Sequence, residues 1–238
     1  MSWLRGKRAL VTAGPTYEPI DPVRFIGNHA TGRMGVAVAE ALHEAGCATT
    51  LIAGPSGLAT PAGADRIDVQ TAAEMARAVL SRWPDHDLLV MAAAVADYTI
   101  EHPADQKIKK GDGPMTLTLV RTTDILAEAG RTRRTDQVLV GFALETEHGV
   151  DNARGKLERK NADIIALNMQ SEAGSGFGTD TNRLTLVERG NKLTTFELMT
   201  KRAAARALVA HIDRHALDRS LPSSPADPPG PAGPGAAL

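Results

Sequence analysis

Several lysines of this chain are spaced in a way that suits the binding of phosphate groups. Three of them, Lys107, Lys109 and Lys110, fall within four residues of a polar stretch. Lys156 and Lys160 stand four residues apart, so on a helix they share one face. A lysine ammonium is a compact charge that suits a polyphosphate. Each group taken alone is also typical of a solvated surface, so the residues themselves leave both interpretations open.

A second set of candidates surrounds the predicted start of a helix. Thr31 and Gly32 lead directly into a helical pattern, and the unpaired N–H groups of a helix N-terminus attract anions. Arg24 and Arg33 add positive charge nearby. Asn28 offers a donor and an acceptor that could hold a carbonyl or phosphoryl oxygen, although a loop asparagine is commonly a turn residue. The pattern indicates an anion site, with an ordinary capped helix start as the alternative.

Asp97 follows the most apolar stretch of the chain, Asp87 to Val95. The small residues between Ala92 and Ala96 would allow a flat ligand to approach the backbone. Because ligands of parallel sheets bind beyond the carboxyl ends of the strands, Asp97 stands where a ligand is expected. An aspartate in a strand-ending turn is the alternative.

The elements that must position these residues alternate between strand and helix. Strands are predicted over 8–14, 48–53, 65–69, 87–95, 137–143 and 163–168. Helices are predicted over 31–45, from a capping box at 71–74 to about 83, over 149–160, and from a cap at 200 to about 216. Antiparallel additions are predicted at 115–120 and at a hairpin of 183–188 with 192–198. The pattern predicts an α/β fold: a Rossmann-like, doubly wound, mostly parallel sheet with antiparallel additions.

Composition limits the class of protein. The 238 residues include 27 basic and 28 acidic side chains, which argues against a protein held on nucleic acid by a general basic surface. The single cysteine excludes an intrachain disulfide and a cysteine-cluster metal site. His211 and His215 are interpreted as part of a solvated helix face. With no long apolar run and no signal peptide, we expect a cytoplasmic protein without a membrane span.

The end of the chain differs in composition from the rest. The last 19 residues contain six prolines and three glycines, too little apolar surface to offset the entropy of ordering. We therefore expect one folded domain over 1–217 and a disordered Pro/Gly/Ala-rich tail over 218–238.

Three motifs of familiar nucleotide-dependent proteins are absent. The first strand is followed by Gly14-Pro-Thr-Tyr rather than GxGxxG, and neither tyrosine begins a YxxxK motif. These absences argue against an NAD(P)-dependent short-chain reductase, which remains the alternative enzyme. The stretch from Gly27 to Gly32 matches GxxxxG but continues with Arg-Met, so it is not a Walker P-loop.

Taken together, six motifs in order resemble the phosphopantothenoylcysteine synthetase family, also called phosphopantothenate–cysteine ligase, over about residues 7–200. In many bacteria this domain is the C-terminal half of a bifunctional coenzyme A biosynthesis protein. The motifs are TAGPTxEPxDPVR from Thr12, NHxxGxMG from Asn28, AAAVADY from Ala92, KIKK from Lys107, GFAxET from Gly141 and KNxD from Lys160.

The resemblance implies a ligase that joins 4′-phosphopantothenate to L-cysteine with CTP. The substrate carboxylate attacks the α-phosphate of CTP, pyrophosphate leaves, and the amine of cysteine then displaces CMP from the acyl-cytidylate. The KIKK form resembles the CTP-using bacterial type more than ATP-using relatives. A non-catalytic nucleotide-binding module, for example a degenerate partner of an active synthetase, is a further alternative.

The resemblance also assigns residues. It implies that Asn28 and Lys107 are catalytic, that Asn28 holds the acyl-cytidylate, and that Arg24 assists in binding the substrate. The positions that match CTP-binding positions of the family are Asp97, Lys107, Thr122, Thr123, Asp124, Ile125, Phe142, Lys156 and Lys160. Thr122-Thr-Asp-Ile stands where the bacterial pattern has Asn-Pro-Asp-Ile, and Asn168-Met replaces Asn-Asp.

For cofactors and partners, the resemblance implies Mg²⁺ carried by the CTP phosphates and no protein metal site. It implies no FMN, because the flavin-dependent decarboxylase half is absent from this sequence. Family members form homodimers, so we expect a homodimer, with the 108–120 region as a flap, and a separate decarboxylase chain as an additional partner.

Overall fold

The computed structural model of this protein describes residues 2–169 and 178–220. The helices are α1 (Arg33–Glu44), α2 (Ala72–Arg82), α3 (Ile125–Thr132), α4 (Gly149–Arg159) and α5 (Lys201–Ser220). The strands are β1 (Arg8–Ala13), β2 (Tyr17–Pro19), β3 (Phe25–Gly27), β4 (Ala48–Ala53), β5 (Ala64–Asp68), β6 (Leu88–Met91), β7 (Tyr98–Ile100), β8 (Leu119–Arg121), β9 (Val138–Glu145), β10 (Ile164–Met169), β11 (Thr181–Asn182), β12 (Thr185–Glu188), β13 (Leu193–Thr195) and β14 (Met199–Thr200).

The central sheet has the strand order β13-β12-β10-β9-β6-β1-β4-β5. The strands from β10 to β5 are parallel, whereas β12 and β13 are antiparallel additions. From β1 the chain builds outward through β4 and β5, then returns to the other side of β1 with β6. This reversal of direction creates a switch point between β1 and β6, where sheets of this kind bind ligands. The predicted fold class is confirmed.

Helices cover both faces of the sheet. On one face α1 and α5 pack against each other around Val38 and Leu208. On the other face α2, α3 and α4 pack around Leu89 and Ile165. The carboxyl end of the sheet can therefore receive side chains from helices on both sides.

Local sequence signals account for several element boundaries. Thr71 and Glu74 form the predicted capping box: Thr71 Oγ1 accepts from the Glu74 N–H at 3.2 Å, and the Glu74 carboxylate accepts from the Thr71 N–H at 3.3 Å. The predicted hairpin of β12 and β13 is also present. Its turn contains Gly190 and Asn191 at φ values of 71° and 60°, a left-handed region that these two residue types tolerate best.

One predicted strand is too long, and one helix was not predicted. Of the alternating stretch 115–120, only the part from Leu119 pairs with a strand, β7. Residues 115–118 lie outside any strand, because an alternating pattern forms a strand only where a partner strand meets it. Helix α3 was not predicted, since eight residues hold too few turns for a clear period. Its Asp124 cap accepts from the Ala127 N–H at 3.0 Å.

The prediction that His211 and His215 face solvent is wrong. His211 Nε2 lies 2.9 Å and His215 Nδ1 lies 2.7 Å from the two carboxylate oxygens of Glu188. Glu188 is buried at the end of β12, so the two histidines fasten α5 to the sheet. Spacing places both histidines on one face but does not say which face meets the sheet.

The last helix continues to Ser220, beyond the expected domain end at residue 217. The rest of the predicted tail lies outside the described residues. Within the described ranges, no helix is long and apolar enough to cross a membrane.

Candidate active site

A cavity of about 850 Å³ opens at the switch point of the sheet. Most of its wall comes from four segments, 30–35, 91–98, 121–126 and 142–144, which follow or precede the central elements of the fold. Gly14, at the end of β1, forms part of the floor. The cavity therefore lies where the predicted fold class places a ligand.

The N-terminus of α1 opens into this cavity. Gly32 caps the helix at a φ of 82°, no side chain bonds to the first N–H groups, and the first turn carries no acidic residue. A Cβ at Gly32 would lie 3.1 Å from the backbone nitrogen of Gly14, so the close approach of these two segments requires glycine. The uncapped N–H groups and the helix dipole create a positive end that suits an anion.

Lys156 and Lys160 reach the cavity from α4, as the shared helix face predicted. Lys156 Nζ donates to the carbonyl of Phe142 at 2.7 Å, and Lys160 forms an ion pair with Asp124. Burial lowers the pKa of Lys156 below its usual value, an effect that Glu145 partly opposes. The two lysines are thus already held in place by protein groups beside the cavity.

Asp124 has two functions in this wall. It caps α3 and also pairs with Lys160, and these contacts outweigh the effect of burial and lower the pKa of its carboxyl. Ile125, which follows it, is 3% exposed and anchors α3 in the core beside the cavity. This part of the wall is therefore buried on its inner side and charged toward the cavity.

The segment that contains Thr122 and Thr123 is tied to the residues directly before β7. Thr122 Oγ1 donates to the carbonyl of Ala96 at 2.6 Å, and the Thr122 N–H donates to the carbonyl of Asp97 at 3.0 Å. Asp97 and Thr123 keep exposed side chains on the cavity wall. These bonds bring together two segments that the sequence separates by more than twenty residues.

Asn28 stands at the edge of the cavity rather than on its wall. Its Nδ2 donates to the carbonyl of Ala94 at 3.0 Å, and Ala94 is itself a wall residue. Asn28 therefore contacts the same backbone segment that a bound ligand would meet.

Arg24 and Lys107 also lie outside the wall, on neighbouring loops. The Arg24 guanidinium pairs with Asp21 and donates to the carbonyl of Ile108 at 3.1 Å. Asp21 is 3% exposed and accepts from the Ile108 N–H at 3.1 Å. The bond from Arg24 holds the pKa of Asp21 well below its usual range. This pair fastens the loop that carries Lys107, a contact that sequence reasoning did not anticipate.

The structure adds wall residues that were not among the predicted site residues: Arg33, Arg121, Asn168, Asn182 and Lys201. Arg33 had been noted only as a source of positive charge. Nothing in the local sequence distinguishes Lys201 or Arg121 from surface residues, because their position depends on how distant elements pack.

The wall of the cavity carries more positive than negative side chains. Among the described residues, its wall carries five lysine or arginine side chains and the two carboxylates of Asp97 and Asp124. Together with the open end of α1, this excess favours a ligand with several negative charges.

Sheet order and switch point define a Rossmann-like α/β protein, and cationic side chains outnumber carboxylates on the described wall of its cavity. A family model described as "DNA/pantothenate metabolism flavoprotein C-terminal domain" matches residues 4–215. The chain belongs to this family, and the resemblance inferred from the six motifs is confirmed.

Relatives support the assignment. A "Cysteine/Cysteine sulfinic acid decarboxylase" of an unknown prokaryotic organism is 46% identical over 88% of this chain and 58% of its own length. A "Coenzyme A biosynthesis bifunctional protein CoaBC" of Bacillus subtilis (strain 168) is 47% identical over 83% of this chain and 49% of its own length. The chain therefore spans about half the length of these curated relatives.

A solved structure resembles nearly the whole fold. The crystal structure of the C-terminal domain of a coenzyme A biosynthesis bifunctional protein CoaBC has a TM-score of 0.76 and 36% identity. The match covers 90% of this chain and 99% of that one.

Proposed function

We propose that this protein joins 4′-phosphopantothenate and L-cysteine with CTP, through an acyl-cytidylate, to give 4′-phosphopantothenoylcysteine, CMP and pyrophosphate. The observation that carries the proposal is the cavity at the switch point. It is large enough for a nucleotide and combines an open helix N-terminus with cationic side chains from both faces of the sheet. Family membership and the coenzyme A biosynthesis names of relatives support the substrate.

The chemistry needs an activated carboxyl group. A carboxylate is a poor electrophile, and its attack on the α-phosphate of CTP converts it to a mixed anhydride whose leaving group is CMP. Negative charge accumulates on the phosphates as pyrophosphate departs, so nearby cations stabilise that step. The amine of cysteine then attacks the acyl carbon, forms the amide and releases CMP.

Different parts of the cavity wall suit different parts of the nucleotide. Thr122, Thr123, Ile125 and Phe142 offer backbone groups and an aromatic surface for the cytosine ring, and the exposed carboxylate of Asp97 suits sugar hydroxyls. The end of α1 suits the phosphates. We propose that Asn28, whose side chain bonds the wall residue Ala94, holds the acyl-cytidylate. We propose that Lys107, on the loop fastened by Asp21 and Arg24, neutralises its phosphate, and that Arg24 assists in binding the substrate.

Mg²⁺ is proposed to enter with the triphosphate. Within the described residues, no group of three or more His, Cys, Asp or Glu side chains could hold a metal ion, and the cavity offers only Asp97 and Asp124 as carboxylates. These residues fit a metal that is held mainly by phosphate oxygens and water. The ion would neutralise phosphate charge when bound. We propose no FMN and no decarboxylation for this chain, although one relative carries a decarboxylase name.

A homodimer is proposed for the assembly. Val23, Phe25 and Ile26 on or beside the β2–β3 hairpin are exposed apolar residues, as are Tyr98 and Leu119 on the β7–β8 pair. Exposed apolar side chains on neighbouring elements suit contact with a second copy of the chain. A separate decarboxylase chain is a further proposed partner.

The test is an activity assay. The protein is incubated with 4′-phosphopantothenate, CTP, Mg²⁺ and cysteine, and pyrophosphate and CMP are followed. We expect both products, and without cysteine we expect pyrophosphate release with an acyl-cytidylate left bound. Lys107→Ala should lose activity, whereas Lys7→Ala, which removes the same charge beside the amino end of β1, should not.

Each outcome separates the alternatives. Absence of pyrophosphate with every nucleotide would refute the ligase, and pyrophosphate from ATP alone would refute only the choice of CTP. CTP binding without any product would favour the non-catalytic binding module. Reduction of a carbonyl substrate by NAD(P)H would favour the short-chain reductase.

A further inference from the structure

We propose that Lys201, the first residue of α5, binds a phosphate group of a ligand in the cavity. The proposal rests on the proposed function for the identity of the ligand but not for the chemistry of the contact. Lys201 lines the cavity and is 8% exposed. Neither the six motifs nor the predicted site residues include it.

Lys201 stands where the protein concentrates positive charge. It occupies the N-terminus of a helix, where the dipole is positive, and it is buried. Burial first, and the charge of Arg33 second, lower the pKa of its ammonium, while Asp180 opposes them. A bound phosphate would counter both effects, because it supplies negative charge where the protein concentrates positive charge.

The protein holds Lys201 firmly in this position. Its backbone N–H donates to the carbonyl of Asp180 at 2.9 Å, and its Nζ donates to the carbonyl of Thr179. Arg33, on the first turn of α1, forms an ion pair with Asp180. The neighbouring segment thus fixes the ammonium and the guanidinium on the same side of the cavity, next to the open end of α1.

Two pairs of cationic side chains reach the cavity, one pair from each face of the sheet. Lys156 and Lys160 come from α4, and Lys160 is already paired with Asp124. Arg33 and Lys201 come from α1 and α5, which cover the other face. Because phosphates favour the helix N-terminus, we assign them to the α1 and α5 side. The phosphate is either the terminal part of the triphosphate or the phosphate of 4′-phosphopantothenate.

The test compares Lys201→Met with a matched control, Arg202→Met. Arg202 is the next residue of α5, but its guanidinium bonds Glu40 on the outer surface of α1 at 2.7 and 3.0 Å. Binding of inorganic tripolyphosphate, CTP, CMP and 4′-phosphopantothenate is measured by calorimetry on both variants and on the unchanged protein. Lys201→Arg, which keeps the charge, should restore most of the affinity.

We expect Lys201→Met to weaken tripolyphosphate binding about tenfold or more, since a charge-assisted hydrogen bond is lost. If the affinity for CTP falls equally while the affinity for CMP changes less than about twofold, Lys201 contacts the terminal phosphates. If instead the affinity for 4′-phosphopantothenate falls, Lys201 contacts the phosphate of that substrate. A loosened cavity would weaken CTP and CMP alike, so this comparison excludes a merely structural effect.

Two results would overturn the inference: unchanged binding of tripolyphosphate and 4′-phosphopantothenate by Lys201→Met, or equal losses for CTP and CMP. Neither result affects the ligase assay. Conversely, a protein that binds tripolyphosphate through Lys201 but releases no pyrophosphate would refute the ligase and leave the inference standing. If Lys201→Met does not fold, ¹³C-methylation of the lysines of the unchanged protein replaces it. A Lys201 signal unmoved by both tripolyphosphate and 4′-phosphopantothenate would then refute the contact.

Discussion

Removal of the Asp163 side chain should destabilise the protein strongly. Asp163 belongs to the KNxD motif, and its carboxylate is 5% exposed. It accepts hydrogen bonds from Arg133 at 2.7 and 2.9 Å and from the Leu139 N–H at 2.8 Å, and it forms an ion pair with Arg219 at 2.8 Å. These contacts join the end of α3, the sheet and the end of α5. The motif residue therefore has a structural function away from the cavity.

The size of the loss in stability follows from the groups that the substitution leaves without a partner. Asp163→Ala leaves the Arg133 guanidinium, 11% exposed, without its carboxylate, and leaves the buried Leu139 N–H without its acceptor. Breaking a buried pair by removing one partner costs about 3–5 kcal/mol, and for a domain of this size that corresponds to roughly 10 °C in melting temperature. Asp163→Asn keeps the shape and one acceptor oxygen, so its loss should be smaller.

The assay is urea unfolding followed by far-ultraviolet circular dichroism, compared at equal m-value. Asp136→Ala is the control, because its side chain is 64% exposed and pairs with Arg134 on the surface. That pair should contribute less than about 1 kcal/mol. If Asp163→Ala and Asp136→Ala lose the same free energy of unfolding, the argument from burial is wrong.

Three further predictions concern other parts of the molecule. Gly32→Ala should weaken CTP binding and lower the melting temperature, because its φ of 82° and its approach to Gly14 exclude a side chain; unchanged binding in calorimetry would contradict this. Cys47 should not react with a thiol reagent at about pH 8 until the protein unfolds, since burial raises its pKa to about 12; rapid labelling of the folded protein would refute the prediction. Burial lowers the pKa of His211, and bonds from the histidines outweigh burial and lower the pKa of Glu188. The unfolded chain therefore binds more protons, so the free energy of unfolding should fall as pH drops below about 6.5, and again below about 4.5; in His211→Gln, urea unfolding should show a weaker first step.

The order of elements could be predicted because it depends on local patterns. The Thr71 capping box and the turn at Gly190 each act over a few residues, and they lie close to the observed boundaries. The apolar run 87–95 correctly predicted the position of β6 but not its length, because the strand ends at Met91. Helix α3 escaped prediction because eight residues are too short for a periodic signal. The strand at 115–120 was predicted too long, since pairing with β7 decides where it begins.

The candidate site was predicted in part. Eight of the nine predicted CTP-binding residues line the cavity: Asp97, Thr122, Thr123, Asp124, Ile125, Phe142, Lys156 and Lys160. Asn28 lies at its edge, Arg24 and Lys107 lie on loops outside its wall, and the functions of all three remain predictions. Arg121 and Lys201 were missed, because each is an ordinary basic residue in its own sequence neighbourhood.

The sequence by itself determined the alternation of strands and helices, the parallel sheet and the family, because these follow from periodicity, capping residues and ordered motifs. Only the tertiary structure decided which charges meet. The packing of α5 on α1 buries Lys201 beside the cavity, the same helix brings His211 and His215 onto Glu188, and Asp163 gathers Arg133 and Arg219 from distant segments. Burial and electrostatic partnership depend on contacts between residues far apart in the chain, and local sequence carries no signal for them.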